Sequence, residues 1–147
     1  MKKEINFKSL RKFNIFMGIL HLVQGSAMLI FALVIDQVKN FRTPVWSYFL
    51  TFDQTQMRLV TDPQKLFTVP FGILVSAFLF LSAIAHFIIA APKTNDIYNR
   101  DLQKGINKFR WYEYSLSSSL MIFLIAMLFG VYDIGALILI VLINATM

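Results

Sequence analysis

The chain has 147 residues, of which 57% are hydrophobic, 15 are phenylalanine and none is cysteine. This composition is far more apolar than that of soluble domains and predicts an integral membrane protein that sits in a lipid bilayer. The absence of cysteine excludes disulfides, iron–sulfur clusters and cysteine-ligated zinc. The net charge is +6. The basic residues cluster outside the apolar runs, as they do in the loops of membrane proteins, so we expect no nucleic-acid partner.

Four apolar runs follow one another along the chain, and we interpret each as a membrane helix. About 20 residues of helix cross a ~30 Å hydrocarbon layer. Residues 13–35, 68–91 and 110–130 are long enough, and residues 134–147 form a last run without a charge. The pattern predicts an all-α antiparallel helix bundle, a single partial transmembrane domain over residues 1–147. We expect the chain to be a fragment of a longer membrane protein.

The distribution of basic residues predicts the orientation of the bundle. Ten of the fourteen Lys and Arg residues lie before the first run or after the second run up to Arg110, the first residue of the third run. The other four lie in the first connection, residues 36–67. Because cytoplasmic loops of membrane proteins are enriched in Lys and Arg, we expect a cytoplasmic N-terminus in the cell membrane.

The first connection, residues 36–67, is then external and is predicted to be β-rich. Residues 45–52 are aromatic and β-branched, and after a polar turn residues 57–60 form a second short run. This pattern is typical of a small β-hairpin. Pro44 and Pro63 are expected to limit its strands.

Three ionisable side chains lie inside the apolar runs: His21, His86 and Glu113. A titratable group is costly in hydrocarbon, so each one suggests a functional site. Ser82 lies one turn before His86. A carboxylate and two histidines at similar depth predict a proton-holding centre. Two plainer interpretations stay open, interhelical hydrogen bonding by the histidines and an ion pair between Glu113 and Arg110. No metal site is expected, because no histidine spacing preorganises one.

The sequence resembles the heliorhodopsins, which are retinal proteins of inverted topology. The resemblance is carried by residues 110–119 (RWYEYSLSSS), residues 10–14 (LRKFN), residues 21–25 (HLVQG), and Ser82 with His86. It implies helices one to four of a seven-helix rhodopsin fold. It also agrees with the cytoplasmic N-terminus expected from the basic residues.

The resemblance implies roles for several residues. Glu113 looks like the counterion of the retinal Schiff base, because a buried positive charge needs a nearby anion. His21, His86 and Ser82 look like the polar cluster that holds its proton. The cavity or retinal pocket would include Gln24, Ser117, Asn144 and Met147. The attachment lysine of the family lies in helix seven, and no lysine lies within an apolar run here.

The function implied by the resemblance is that of a photosensory or signalling receptor, not an ion pump or an enzyme, with an unknown signalling partner. Homodimers are also implied, with the external hairpin and helix four as contacts. Two alternatives stay open. One is a small four-helix membrane protein that acts as a transporter subunit or assembly factor. The other is a metal transporter that uses His21, His86 and Glu113.

Overall fold

The computed structural model describes residues 6–146. Its helices are α1 (Phe7–Val34), α2 (Asp36–Lys39), α3 (Phe71–Ala90), α4 (Pro92–Gln103), α5 (Lys108–Leu128) and α6 (Ile134–Ala145). Its strands all lie between α2 and α3 and are β1 (Arg42–Ser47), β2 (Leu50–Asp53), β3 (Arg58–Thr61) and β4 (Gln64–Pro70).

Three helices, α1, α3 and α5, are long and apolar enough to cross a membrane. The sequence predicts four such helices, but α6 has 12 residues and is only a shorter apolar helix. The length of α6 therefore does not confirm the expected fourth spanning helix. The Arg11 side chain of α1 donates from Nε to the carbonyl of Ala90 at the end of α3, at 2.9 Å. The start of α1 thus lies beside the end of α3, as expected for antiparallel neighbours.

The helices begin at other residues than hydropathy predicts, because capping residues set their first turns. The Asn6 side chain accepts from the Ser9 backbone N–H, so α1 begins at Phe7 rather than at residue 13. The Asn107 side chain caps α5 in the same way, two residues earlier than expected. Asn is among the preferred N-cap residues, since its side-chain oxygen satisfies a free backbone donor.

The helix ends also differ. α3 covers Phe71–Ala90 instead of 68–91, because the residues before it pair in β4. The expected external loop, residues 36–67, therefore extends to Pro70. α6 ends at Ala145, and Met147 lies outside the described residues.

The predicted hairpin is present and forms part of a larger β-rich segment. β2 and β3 pair antiparallel, with Leu50 opposite Thr61 and Asp53 opposite Arg58. β1 and β4, which precede and follow it in the chain, form a second antiparallel pair. Pro44 does not limit a strand as expected; it lies inside β1, opposite Thr68. Proline is tolerated there because each strand of a two-stranded sheet is an edge strand.

The two ends of the helix bundle differ in content. At the end that carries the strands, called here the sheet end, seven buried side chains form the apolar core: Val45, Val69, Phe71, Leu124, Ala126, Met127 and Leu137. The Trp46 N–H donates to the Tyr132 carbonyl at 2.9 Å and ties the strands to the turn between α5 and α6. The opposite end, where α1 and α5 begin and α4 lies, is called the α4 end.

Candidate functional site

The two histidines of the chain stack on each other between α1 and α3. The ring centroids of His21 and His86 lie 5.6 Å apart, and the ring planes are 17° from parallel. Both side chains are half-buried. Two positive charges at this separation would repel by about 3 kcal/mol at an effective dielectric constant of about 20. A positive charge on one ring would therefore act strongly on the other ring.

Glycines on α1 allow the close approach of these helices. Gly18 and Gly25 lie one turn before and one turn after His21, and both are buried. A Cβ atom at Gly18 would come within 2.9 Å of the Phe87 ring, and one at Gly25 within 3.0 Å of the Phe80 ring. Small residues let helix backbones approach closely in membranes. Here the two glycines let α1 approach α3 closely enough for the His21 ring to stack on the His86 ring.

Asn14 is the direct hydrogen-bonding partner of His86. It is buried on α1, and its Oδ1 lies 2.9 Å from His86 Nδ1. Asn14 was not among the predicted site residues. A signal was present, because Asn14, Gly18 and His21 recur at helical spacing on one face. The expected helix start, only one residue earlier, placed Asn14 at the boundary of the membrane instead of inside the helix.

Tyr98 extends the polar centre to α4 and was also missed. Its ring is buried, and the side-chain amides of Asn107 and Asn14 lie close enough to its hydroxyl to affect the hydroxyl pKa. Burial raises the pKa of the Tyr98 hydroxyl, and Arg110 and the two amides oppose that rise only in part. The hydroxyl is thus neutral at neutral pH. Because α4 is polar, its sequence did not indicate that Tyr98 packs against the spanning helices.

Glu113 lies half-buried on α5, at a cleft of about 170 Å³ between α3 and α5. The other lining residues are Leu81, Ile84, Ala85, Ile88, Phe109, Tyr112 and Leu116. Glu113 and His21 both lie near enough to His86 to act electrostatically on its charge. Within residues 6–146 no hydrogen bond or ion pair to the Glu113 carboxylate is formed. The acid is therefore the polar group of an otherwise largely apolar cleft.

The ion pair between Arg110 and Glu113, considered above as a plainer interpretation, is not formed in the described structure. Arg110 hydrogen bonds to the Tyr114 hydroxyl, and its guanidinium carbon lies 4.5 Å from the centre of that ring. Such cation–π contacts hold an arginine against an aromatic face. The Glu113 carboxylate therefore lies at the cleft without Arg110 as a partner.

The other predicted site residues lie at several places. Ser82 is buried one turn before His86, and Ser117 is buried one turn after Glu113. In the described part of the chain, neither serine hydroxyl is hydrogen bonded to a histidine. Gln24 is exposed on the surface of α1.

Asn144 connects α6 to α5. Its Nδ2 donates to the hydroxyls of Ser118 at 2.7 Å and Ser119 at 3.1 Å. The predicted position of Met147 falls outside the described residues. Over residues 6–146, no three His, Cys, Asp or Glu side chains are grouped as ligands of a metal ion.

The fold and the site define an integral membrane protein with a titratable centre among its helices. Comparison with protein-family models identifies the family to which this membrane protein belongs. The Heliorhodopsin family model matches residues 10–147, so the chain belongs to the heliorhodopsin family. No curated protein sequence matches the chain. The resemblance noted in the sequence is thereby confirmed. The family consists of rhodopsin-like light receptors, is generally light-sensing rather than enzymatic, and implies retinal as cofactor.

Proposed function

We propose that the chain forms part of a photosensory or signalling receptor that uses retinal, and that it does not pump ions. The stack of His21 on His86, with Glu113 within electrostatic range, is the observation that supports this most strongly. A light receptor of this kind needs a site where charge and protons can be rearranged inside the bundle. These three side chains provide one on three different helices.

The cleft at Glu113 fits the chemistry of retinal. Bound retinal supplies light absorption and a positive charge at its point of attachment. Glu113 would balance that charge, because an unpaired positive charge is strongly disfavoured in a medium of low dielectric constant. The apolar side chains of Leu81, Ile84 and Leu116 line the same cleft and would contact the hydrocarbon chain.

The histidine pair would hold and exchange a proton close to this charge. Imidazole titrates near neutral pH, so a small change in nearby charge moves its proton. Repulsion between the stacked rings limits the pair to one positive charge. Ser82, buried on the same face of α3 as His86, would complete the cluster.

A receptor is favoured over a pump by the distribution of titratable groups. Proton pumps use chains of Asp, Glu and His residues across the membrane. In the spanning helices of the described chain, the carboxylate is Glu113 and the imidazoles are the stacked pair. The sheet end of the bundle is filled by apolar side chains instead. Protons would therefore be rearranged within the centre.

Replacement of the proposed counterion tests the proposal. Glu113→Gln removes the charge and keeps the size of the side chain, so we expect a large shift of the visible absorption maximum. Asp133→Asn is the matched control, because its side chain caps α6 by accepting from the Ala136 N–H at 2.7 Å. An amide oxygen preserves that cap. An unchanged spectrum in Glu113→Gln would reject the counterion role.

The spectrum requires a lysine that carries retinal. In the described spanning helices, lysines are confined to the first two turns of α1 and the first residue of α5. The measurement therefore uses a polypeptide in which Glu113 and a retinal-bearing lysine occur together. Reading the coding sequence past codon 147 shows whether the native gene encodes such a lysine.

We also propose that the N-terminus and α4 face the cytoplasm, as the Lys and Arg distribution indicates. The chain has no cysteine, so single cysteines can report the side. Thr55→Cys lies in the exposed hairpin turn and Asp96→Cys lies exposed on α4. In intact cells, an impermeant thiol reagent should label the first and not the second. The reverse pattern would invert the topology.

We further propose a homodimer in which the hairpin and α6 form contacts. Large apolar side chains are exposed on both elements; on the hairpin, Leu59 is 61% and Met57 is 75% exposed, and on α6, Ile143 is 69% exposed. Extended exposed apolar surface marks an interaction site or a lipid contact. Cross-linking of single cysteines at Thr55 between two copies should succeed in nanodiscs loaded with two chains. A monomer under all conditions would exclude the dimer.

A further inference from the structure

The orientation of the Asn14 side chain is fixed by its neighbours. The Asn14 nitrogen Nδ2 lies 3.0 Å from the Leu10 carbonyl oxygen, to which it donates. A carbonyl oxygen cannot donate, so the reversed amide would place two acceptors against each other. The amide oxygen Oδ1 is therefore the atom that faces His86.

This orientation determines which ring nitrogen of His86 carries a hydrogen. Oδ1 of Asn14 only accepts, and it lies 2.9 Å from His86 Nδ1. Nδ1 must then be the donor. We propose that Asn14 is a positioning residue that holds neutral His86 in the tautomer protonated at Nδ1, so that Nε2 is its basic nitrogen.

The surroundings of Asn14 make this preference strong. Asn14 is 5% exposed, so water competes little for its oxygen. A buried donor or acceptor left without a partner costs about 1–3 kcal/mol. The alternative tautomer would place the lone pair of Nδ1 against Oδ1 and leave both without a hydrogen bond.

The assignment has a consequence for the polar centre. A proton that arrives at neutral His86 binds at Nε2, and Nδ1 stays joined to Asn14. This role in a photoreaction rests on the proposed function, whereas the tautomer itself does not and is measured without retinal.

Nitrogen-15 NMR of the histidine rings tests the assignment directly. The chain contains two histidines, so ¹⁵N-histidine labelling of the chain in lipid nanodiscs gives two sets of ring signals. His86→Gln removes one set and assigns it. At about pH 8.5, above the ordinary histidine pKa of about 6.5, His86 should show Nδ1 as the protonated type and Nε2 as the unprotonated type.

Two substitutions separate positioning from a structural role. Asn14→Leu keeps the side-chain shape but removes the acceptor, and the signals of His86 should change to a mixture or to the Nε2-protonated form. Asn14→Asp keeps an acceptor oxygen and should retain the Nδ1-protonated form. Unprotonated Nδ1 in the unmodified chain would overturn the proposal, whatever the variants do. An unchanged tautomer in a folded Asn14→Leu variant would overturn it too.

Discussion

The two ends of the helix bundle are built on different principles. At the sheet end, Val45, Met127 and Leu137 are 0%, 1% and 1% exposed and pack in an apolar core. At the α4 end, His21, His86 and Glu113 are only half-buried, and the Asn14 side chain is hydrogen bonded to His86. Close packing resists change, whereas a polar centre responds to charge. The sheet end therefore provides stability, and the α4 end provides the adjustable site.

The largest expected effect is on stability, from a cavity at the sheet end. Met127→Ala should lower the free energy of unfolding by about 2–5 kcal/mol, as buried Met-to-Ala changes do. The neighbouring Leu128 is 60% exposed, so Leu128→Ala is the control and should cost far less. Thermal denaturation in detergent measures both. Equal melting temperatures for the two variants would contradict a packed core at this end.

The next effect comes from the close contact of α3 with α1 and α2. A Cβ at Gly72 would lie 2.7 Å from the Ala32 Cβ and 2.8 Å from a Val38 methyl. The Ala32 atom is fixed to the backbone, so Gly72→Ala should destabilise by about 1–3 kcal/mol through overpacking. Gly18→Ala meets the Phe87 ring, a side chain that can turn away. It should cost less in the same denaturation assay, and the opposite order would argue against the contact.

A smaller effect is expected at the α4 end, and it depends on pH. Tyr98→Phe removes a buried hydroxyl and should cost about 0.5–1.5 kcal/mol at neutral pH. Burial raises the pKa of Tyr98 above its ordinary value of 10.0. Its contribution is therefore complete below about pH 10 and is lost as the pH rises through the folded-state pKa.

An alkaline denaturation series measures this dependence. The unmodified chain should lose stability above about pH 10 more steeply than Tyr98→Phe, because only the former must ionise a buried hydroxyl. Tyr112, 71% exposed, provides the control Tyr112→Phe, which should follow the unmodified chain. Identical alkaline profiles for all three proteins would show that Tyr98 is not anchored in the centre.

The smallest effect is expected in the hairpin turn, outside both ends of the bundle. Asp53 accepts from the backbone N–H groups of Thr55 at 2.8 Å and Gln56 at 3.2 Å. Hydrogen bonds from Thr55 and Gln56 lower the pKa of Asp53 below 3.8. Their contribution is present above about pH 4 and is lost as the pH falls through the lowered value.

Amide hydrogen exchange resolves an effect of this size. Asp53→Ala should speed exchange of the Thr55 and Gln56 amides while the helices keep their protection. Asp53→Asn retains an acceptor oxygen, so exchange of these two amides should be slower than in Asp53→Ala. Faster exchange throughout the bundle in Asp53→Ala would show that the turn and the bundle are not independent.

Much of the fold follows from hydropathy and turn patterns in the sequence. Three apolar runs become helices long and apolar enough to span a membrane, and the β-rich pattern of residues 45–60 overlaps the observed hairpin. The strand partners β1 and β4 were not predicted, since their pairing joins distant residues that share no local pattern. The start of α1 was misplaced because an apolar scale does not register the cap at Asn6.

The candidate site was predictable in type more than in geometry. Titratable residues inside apolar runs marked His21, His86 and Glu113, and the structure stacks the first two. The partners of each group depend on side-chain direction, which helical spacing alone does not give. Arg110 therefore joins Tyr114 instead of Glu113, and buried Asn14 and Tyr98 emerge only from the packed helices.

The central claim is that the two histidines form one centre between α1 and α3. Solid-state NMR with ¹³C- and ¹⁵N-labelled histidine in lipid bilayers tests it most directly, because the chain contains only these two. Ring centroids 5.6 Å apart should give carbon–carbon cross-peaks between the ring of His21 and that of His86. Loss of the peaks in His21→Gln would assign them. Strong peaks within each ring but none between the rings would contradict the account.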